Sequence, residues 1–210
     1  SPDFGINGVI DRFGQIKPKI LFAADGYFYN GKTCDSMDRL ASIVEQIGSI
    51  ERVVVLPLTC PSPDLSGIGK AVVFDDFLDT SARVINFARQ PFSHPLYIMY
   101  SSGTTGAPKC IVHSAGGSLM QHLKEHQLHV DLGPDDVFFY FTTCGWMMWN
   151  WLASGLASGA TLVLYDGSPF AAEGALLLNA IDNEGITVFG TSPKFLAALE
   201  KSGRQPARSH

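Results

Sequence analysis

Short apolar runs alternate along the chain with segments whose apolar residues recur every three or four positions. The apolar runs are residues 19–23, 52–57, 96–100, 137–141, 161–165 and 186–189. The segments with helical spacing are residues 8–16, 36–47, 118–130, 171–183 and 193–200. This alternation predicts an α/β fold, in which a mostly parallel sheet is flanked by helices.

Turn and cap residues support these boundaries. Gly48 suits the C-terminal end of the helix predicted at 36–47. Pro193 is well placed in the first turn of the last predicted helix, where Ser192 is a candidate N-cap. Residues 59–70 are rich in Pro, Ser and Gly, and this composition predicts a loop.

The most informative stretch is residues 100–117, which read YSSGTTGAPKCIVHSAGG. Small and hydroxylated residues crowd a short loop, and one lysine follows; these residues are Ser101, Ser102, Gly103, Thr104, Thr105, Gly106 and Lys109. Glycines let a backbone approach a ligand closely, successive N–H groups can form an anion-binding nest, and a lysine adds a positive charge. The pattern predicts a polyphosphate site, and its structural alternative is a plain Ser/Gly turn.

The loop is not a Walker A motif, because only two residues separate Gly103 from Gly106 and Cys110 follows Lys109. The apolar run at 96–100 predicts a strand before the loop, and residues from about 114 are compatible with a helix. A strand, a glycine-rich loop and a helix in this order is how α/β folds present phosphate sites.

The stretch YSSGTTGAPKC resembles the phosphate-loop signature of the adenylate-forming synthetases. It departs from the usual form at Cys110, where glycine is usual, and at Ser101, where threonine is commonest. The resemblance implies that residues 101–106 and Lys109 hold the phosphates of ATP, with Lys109 as a catalytic residue. It also implies that the chain is part of the large N-terminal domain of such an enzyme.

Residues 142–151 read TTCGWMMWNW, with three tryptophans and two methionines close together. Such residues often fill a core, and this is one interpretation. The segment also resembles a Thr-x-x-Gly-Trp motif of short-chain acyl-CoA synthetases. That resemblance implies that Gly145, Trp146 and Met147 line the pocket for the carboxylic acid. Acetate-specific relatives continue Gly-Trp-Val-Thr-Gly, so a different acyl group is implied here.

Histidines form two further candidates. His122 and His126 are four residues apart on a predicted helix, with Glu125 and His129 nearby. A metal site is one interpretation, but a solvated, charged helix face fits better because the zincin pattern is absent. No metal site is therefore predicted. His113 either approaches the phosphates or caps the start of a helix.

Composition narrows the function classes. The 210 residues are 46% hydrophobic and 17% charged, with a net charge of −5 and no basic block, so nucleic acid is not expected as a partner. The four cysteines form no CxxC pair, which favours reduced thiols in the cytosol. Residues 137–165 carry no charge, yet interrupting Gly, Ser, Thr and Asn residues argue against a membrane span.

Nearly the whole chain resembles the adenylate-forming synthetases that activate acetoacetate. The resemblance implies a cytosolic ligase that uses ATP, Mg²⁺ and coenzyme A, and no protein partner is evident. We expect residues 1–200 to be part of the AMP-binding N-terminal domain and residues 201–210 to be an irregular tail. The family's adenine and magnesium motifs and its C-terminal small domain lie outside this sequence, so we expect it to be inactive alone. Another short-chain acyl-CoA synthetase and a truncated, non-catalytic nucleotide-binding product remain alternatives.

Overall fold

A computed structural model describes residues 4–101 and 106–206. The chain divides into two compact units. The first unit runs to residue 91 and includes residues 95–113. The second unit comprises residues 92–94 and the chain from residue 114 onward.

Helices and strands alternate through the described part of the chain. The α-helices there are α1 (Ile6–Ile16), α2 (Met37–Gln46), α3 (Phe74–Phe77), α4 (Ala115–Lys124), α5 (Met147–Ser154), α6 (Ala175–Asn183) and α7 (Pro193–Lys201). The strands there are β1 (Ile20–Ala24), β2 (Gly26–Tyr29), β3 (Lys32–Asp35), β4 (Arg52–Leu56), β5 (Ala71–Val73), β6 (Pro95–Tyr100), β7 (Cys110–Ser114), β8 (Val137–Tyr140), β9 (Thr161–Val163) and β10 (Val188–Gly190). A π-helical turn, Glu125–His129, continues α4, and 3₁₀ turns cover Gly155–Ser158 and Ala171–Gly174.

The first unit is built on a parallel sheet with strand order β1-β4-β5. Val53 and Val55 of β4 face one core because alternate residues of a strand share a face. Leu40 and Ile43 of α2 are buried in the same core, and Phe13 of α1 packs against it. Helices α1 and α2 are therefore held on this sheet by apolar burial, as their 3.6-residue periodicity predicts.

A buried carboxylate, that of Asp25, lies directly after β1 and binds the loop that follows β4. Asp25 is 2% exposed, and its oxygens accept hydrogen bonds from the backbone N–H groups of Leu58, Thr59 and Cys60 and from the Thr59 hydroxyl, at 2.7–3.2 Å. Burial alone would raise the pKa of Asp25, but these hydrogen bonds outweigh it and lower the pKa below its ordinary value. Asp25 therefore fixes the loop that follows β4.

The second unit is a three-layer arrangement around a parallel sheet with strand order β10-β8-β9. Phe138 and Phe139 are adjacent on β8, so they point to opposite faces of the sheet. Phe139 joins a core with residues of α6 and α7, and Phe138 joins one with Leu152 of α5. Both faces of this sheet are thus covered by helices, which confirms the predicted fold class.

A hairpin that the apolar pattern does not indicate lies between β1 and α2. Strands β2 and β3 pair antiparallel, with Tyr29 opposite Lys32. The two connecting residues, Asn30 and Gly31, have φ angles of 49° and 75°. Asn-Gly with both φ angles positive is the typical type I′ hairpin turn, and this dipeptide was the available sequence signal.

The segment after the phosphate loop differs from the predicted order. A second strand, β7, pairs with β6 and separates the loop from α4. The N-cap of α4 is Ser114, whose Oγ accepts a hydrogen bond from the Gly117 N–H at 3.3 Å. Helix α4 begins at Ala115, in agreement with the helix expected from about residue 114, but the strand before it was not predicted. A capping role for His113 is wrong, because Ser114 is the N-cap. The β-branched and apolar residues of β7, Ile111 and Val112, favour the extended strand over a helix.

The helix predicted at 171–183 is broken near its start. Ala172 and Glu173 have φ angles of 48° and 57°, and regular helix begins at Ala175. At the last helix, the Ser192 Oγ accepts a hydrogen bond from the Phe195 N–H at 3.2 Å, as predicted for an N-cap. None of the helices in the described ranges is long and apolar enough to cross a membrane.

Candidate functional site

The phosphate loop is closed at its base by two reciprocal hydrogen bonds, which we call the loop stem. The Ser101 N–H donates to the Lys109 carbonyl at 3.0 Å, and the Lys109 N–H donates to the Ser101 Oγ at 3.2 Å. Gly106 has a φ angle of 102°, which glycine adopts without a Cβ clash. Four predicted site residues, Ser102, Gly103, Thr104 and Thr105, lie outside the described residues.

Lys109 itself is exposed, whereas its two neighbours are half-buried. Both of these neighbours, Pro108 and Cys110, contact Gln15 of α1. The Gln15 Nε2 donates to the Pro108 carbonyl at 2.8 Å, and the Cys110 thiol lies 3.5 Å from the Gln15 Oε1. The backbone of Lys109 is thus fixed while its ammonium group faces solvent, an arrangement suited to binding an anion.

Tyr100 links the end of β6 to α1. Its hydroxyl donates to the Arg12 carbonyl at 3.3 Å, and the Arg12 guanidinium lies 6.0 Å from the centre of its ring. Burial raises the pKa of Tyr100, and the nearby Cys110 raises it further. Tyr100 therefore remains a neutral hydrogen-bond donor at neutral pH.

The three predicted acid-pocket residues lie in the second unit, at the start of α5. Gly145, Trp146 and Met147 are all exposed, with 48% of Trp146 and 44% of Met147 accessible. The Trp146 ring lies 6.1 Å from that of Tyr140. Large apolar side chains left this accessible at the start of a helix are available to contact a ligand.

The neighbouring Trp151 has a different role, because it is half-buried and packs against the core. Its ring lies 4.5 Å from His126, 5.2 Å from Phe138 and 5.7 Å from Tyr140, measured between ring centres. The tryptophans of this segment therefore differ in role. Trp151 matches the core-packing interpretation, whereas Trp146 remains accessible.

The expectation of a solvated face at His122 and His126 is wrong. His126 is fully buried, and its Nε2 lies 2.9 Å from the Trp151 carbonyl and 3.1 Å from the Ser154 Oγ. Because a carbonyl only accepts hydrogen bonds, Nε2 carries the proton. The Ser154 Oγ is also 2.9 Å from Nδ1 of His122. These contacts hold α4 and its π turn against α5. The spacing of polar residues along a helix does not distinguish such buried histidines from a polar surface.

Burial lowers the pKa of His126 below its ordinary value of 6.5. The hydrogen bond to Trp151 opposes this shift, His122 adds to it and Glu125 opposes it. Neutral His126 therefore stabilises the fold fully above pH 6.5, and this contribution is lost as the pH falls through the lowered folded-state pKa.

Replacing His126 with glutamine should reduce the acid sensitivity of the fold, because the amide retains a donor but does not titrate. The thermal midpoint of the full-length protein, measured from about pH 7.5 down to about pH 5, should fall less steeply in His126→Gln than in the wild type. The exposed His129→Gln is the matched control and should keep the wild-type slope. Parallel slopes for the wild type and His126→Gln would contradict this assignment.

Gly116 and Phe92 pack closely at the start of α4. The Gly116 N–H donates to the Phe92 carbonyl at 3.0 Å, and a Cβ on Gly116 would overlap the Phe92 ring. We expect Gly116→Ala to destabilise the protein by about 1–3 kcal/mol. Gly14→Ala in α1 has nothing within 4 Å of the new Cβ, so better helix propensity should leave stability unchanged or raised. Thermal midpoints of the two variants test this opposite response.

No group of three or more His, Cys, Asp or Glu residues suited to a metal ion occurs within residues 4–101 and 106–206. His113 lies on β7, where its ring is 5.5 Å from that of Tyr97. The residue that sequence reasoning missed is Gln15, since its surroundings show only helical periodicity.

A family model described as AMP-binding enzyme matches residues 2–210, and the chain belongs to that family. Among its relatives, the acetoacetyl-CoA synthetase of Gallus gallus is 51% identical over 216 residues, which cover 100% of this chain and 32% of the relative. The acetoacetyl-coenzyme A synthetase of Rhizobium meliloti (strain 1021) is 53% identical over 212 residues, again covering 100% of this chain and 32% of the relative.

A solved structure, that of the acetoacetyl-CoA synthetase from Streptomyces lividans, matches with a TM-score of 0.89 and 44% identity. The match covers 99% of this chain and 31% of that one. The predicted family and fold are therefore confirmed, and the chain spans about a third of the length of these relatives. The predicted domain boundary at residue 200 and the predicted site roles stay predictions.

Proposed function

We propose that the protein containing this chain ligates acetoacetate to coenzyme A, using ATP and passing through an acyl-adenylate. The observation that carries this proposal is the signature loop with its closed stem at Ser101 and Lys109. It lies within a chain about half identical to proteins named acetoacetyl-CoA synthetases. This chain would supply the phosphate loop and one wall of the acid pocket.

In the first step, a carboxylate oxygen of acetoacetate bonds to the α-phosphorus of ATP, and the bond from that phosphorus to the bridging oxygen breaks. Pyrophosphate leaves with the bonding electrons. Two anions must meet in this step, so the site has to offset negative charge and hold the reacting groups in line. The exposed Lys109 ammonium would bind the β- and γ-phosphates as charge develops on the leaving group.

The rest of the loop would bind the same phosphates through uncharged donors. Hydroxyl groups of Ser101, Ser102, Thr104 and Thr105 and N–H groups near Gly103 and Gly106 are the candidates. In the second step, the thiolate of coenzyme A attacks the acyl carbon and AMP leaves. We place the reaction in the cytosol, in keeping with four unpaired cysteines.

Mg²⁺ would enter bound to the phosphates of ATP, because it commonly binds through substrate phosphates with one or two carboxylates. The described residues contain no carboxylate cluster to hold it, so we assign it no ligand in this chain. We propose small-molecule substrates only, with no nucleic-acid, membrane or protein partner.

Replacing Trp146 with alanine should broaden the range of acids, because removing an aromatic wall lengthens an acyl pocket. We expect kcat/KM for acetoacetate to fall about tenfold and that for hexanoate to rise. The exposed Leu156→Ala, in the 3₁₀ turn that follows α5, is the control and should leave the acid profile unchanged. An unchanged profile in Trp146→Ala would remove this residue from the pocket.

The full-length protein tests the proposal through acid-dependent exchange of labelled pyrophosphate into ATP. Acetoacetate should support exchange and subsequent thioester formation better than acetate, propionate or butyrate. Preference for one of those acids would make the protein another short-chain acyl-CoA synthetase. ATP binding without exchange for any acid would favour a non-catalytic nucleotide-binding protein. Residues 1–210 alone should release no pyrophosphate.

A further inference from the structure

We propose that Gln15 is a positioning residue for phosphate binding, which fixes the backbone on both sides of Lys109. This inference rests on the proposed function, because it assumes that Lys109 binds the phosphates of ATP. It adds α1, which lies more than 80 residues before the loop in sequence, to the binding site.

Gln15 contacts the residues on both sides of Lys109. Gln15 lies in the last turn of α1 and uses both atoms of its amide: Nε2 donates to the Pro108 carbonyl at 2.8 Å, and Oε1 faces the Cys110 thiol at 3.5 Å. These partners are the residues directly before and after Lys109. One side chain thus holds the lysine's backbone without touching its ammonium group.

Helix α1 is anchored well enough to serve as this support. Phe13 packs against the buried core of the first unit, so the helix cannot shift without losing apolar burial. Its Arg12 carbonyl also accepts the Tyr100 hydroxyl at 3.3 Å. Because Tyr100 precedes Ser101 of the loop stem, α1 contacts the chain at both ends of the loop. Such support lowers the entropy lost when a loop binds a ligand.

The test variant is Gln15→Leu in the full-length protein, because leucine suits an exposed helix position and should leave the fold intact. Losing the contacts with Pro108 and Cys110 should raise the KM for ATP about three- to tenfold, with the KM for acetoacetate unchanged. Gln15→Glu keeps an acceptor for the thiol but loses the donor to Pro108, so it should not restore the KM for ATP. The split between the two KM values separates positioning from a general loss of folded enzyme.

Gln46→Leu is the matched control. Gln46 is also an exposed glutamine in the last turn of a helix of the first unit, and its Nε2 donates to the Ser42 carbonyl four residues earlier in that helix, at 3.1 Å. Gln15 makes the same kind of bond to the Asp11 carbonyl, so the control removes this bond without touching the loop. This variant should leave every KM at the wild-type value.

A second readout does not depend on activity. Alkylation of each cysteine by iodoacetamide, followed peptide by peptide by mass spectrometry, should be faster at Cys110 in Gln15→Leu and unchanged at the half-buried Cys34. Equal labelling at Cys110 and an equal KM for ATP would overturn the inference. If Lys109→Ala kept full activity, the proposed function of the loop would fail instead, and the labelling would still report whether Gln15 holds the loop.

Discussion

Replacing Lys109 with alanine is expected to lower the rate of acyl-adenylate formation about 100-fold or more, the usual effect of removing a group aimed at developing charge. The lysine supplies a full positive charge where pyrophosphate is released. A hydroxyl or N–H group of the loop cannot replace it, because each is only a dipole. Acetoacetate-dependent pyrophosphate exchange in the full-length protein measures this step directly.

Strand β7 lies between the loop and α4, so removing Lys109 should lower the rate more than it would in a loop that leads directly into a helix. The five residues of β7 separate Lys109 from the first turn of α4, and the field of a helix N-terminus fades within that turn. Lys19→Ala, which removes an exposed lysine paired with Glu51, is the control and should retain activity. Lys109→Arg should recover only part of the rate, because the guanidinium is planar and larger. A fully active Lys109→Ala would exclude the lysine from catalysis.

Replacing Asp25 with asparagine is expected to destabilise the protein by about 3 kcal/mol. The two side chains have the same shape, so no cavity forms. However, asparagine has one acceptor oxygen where the carboxylate has two, and its NH₂ group would face backbone donors near Thr59 and Cys60. Hydrogen bonds to a charged acceptor are stronger than those to a neutral one, and the donors that face the NH₂ group would lose their acceptor.

The thermal midpoint of the full-length protein and amide exchange across residues 53–60 check this prediction. Asp64→Asn is the matched control, because Asp64 also accepts a backbone N–H two residues ahead but is exposed. It should change the midpoint little. An equal midpoint for Asp25→Asn and the wild type would show that the buried carboxylate does not fix this loop.

Helices and strands that bury one apolar face could be predicted from the sequence, because such burial leaves a periodic pattern of apolar residues. Helices α1 and α2 and strand β4 were predicted within two residues of their observed ends, because each buries one apolar face or run. The Ser192 cap was predicted because serine is a preferred N-cap and the proline after it suits the first turn of a helix. The phosphate loop was recognised by its residue types and not by its conformation.

The remaining features depend on contacts between distant residues. His126 looks like a surface residue in sequence, and only its packing against Trp151 and Phe138 makes it part of the core. Gln15 and Cys110 are 95 positions apart, so no local pattern relates them. Strand β7 was missed because it is only five residues long and its pairing with β6 depends on closure of the loop between the two strands.

The π turn at Glu125–His129 constrains insertions and deletions. It accommodates one more residue per turn than an α-helix, so a chain lacking one residue here could still close a regular α-helical turn. Because a π turn is an α-helical turn with one inserted residue, this single loss would change the direction of the following chain little. Loss of a second residue would rotate that chain by about 100° and move Leu132, whose N–H donates to the His126 carbonyl, out of the core. We therefore expect this turn, whose residues Gln127, Leu128 and His129 are exposed, to accept a deletion of one residue but not of two.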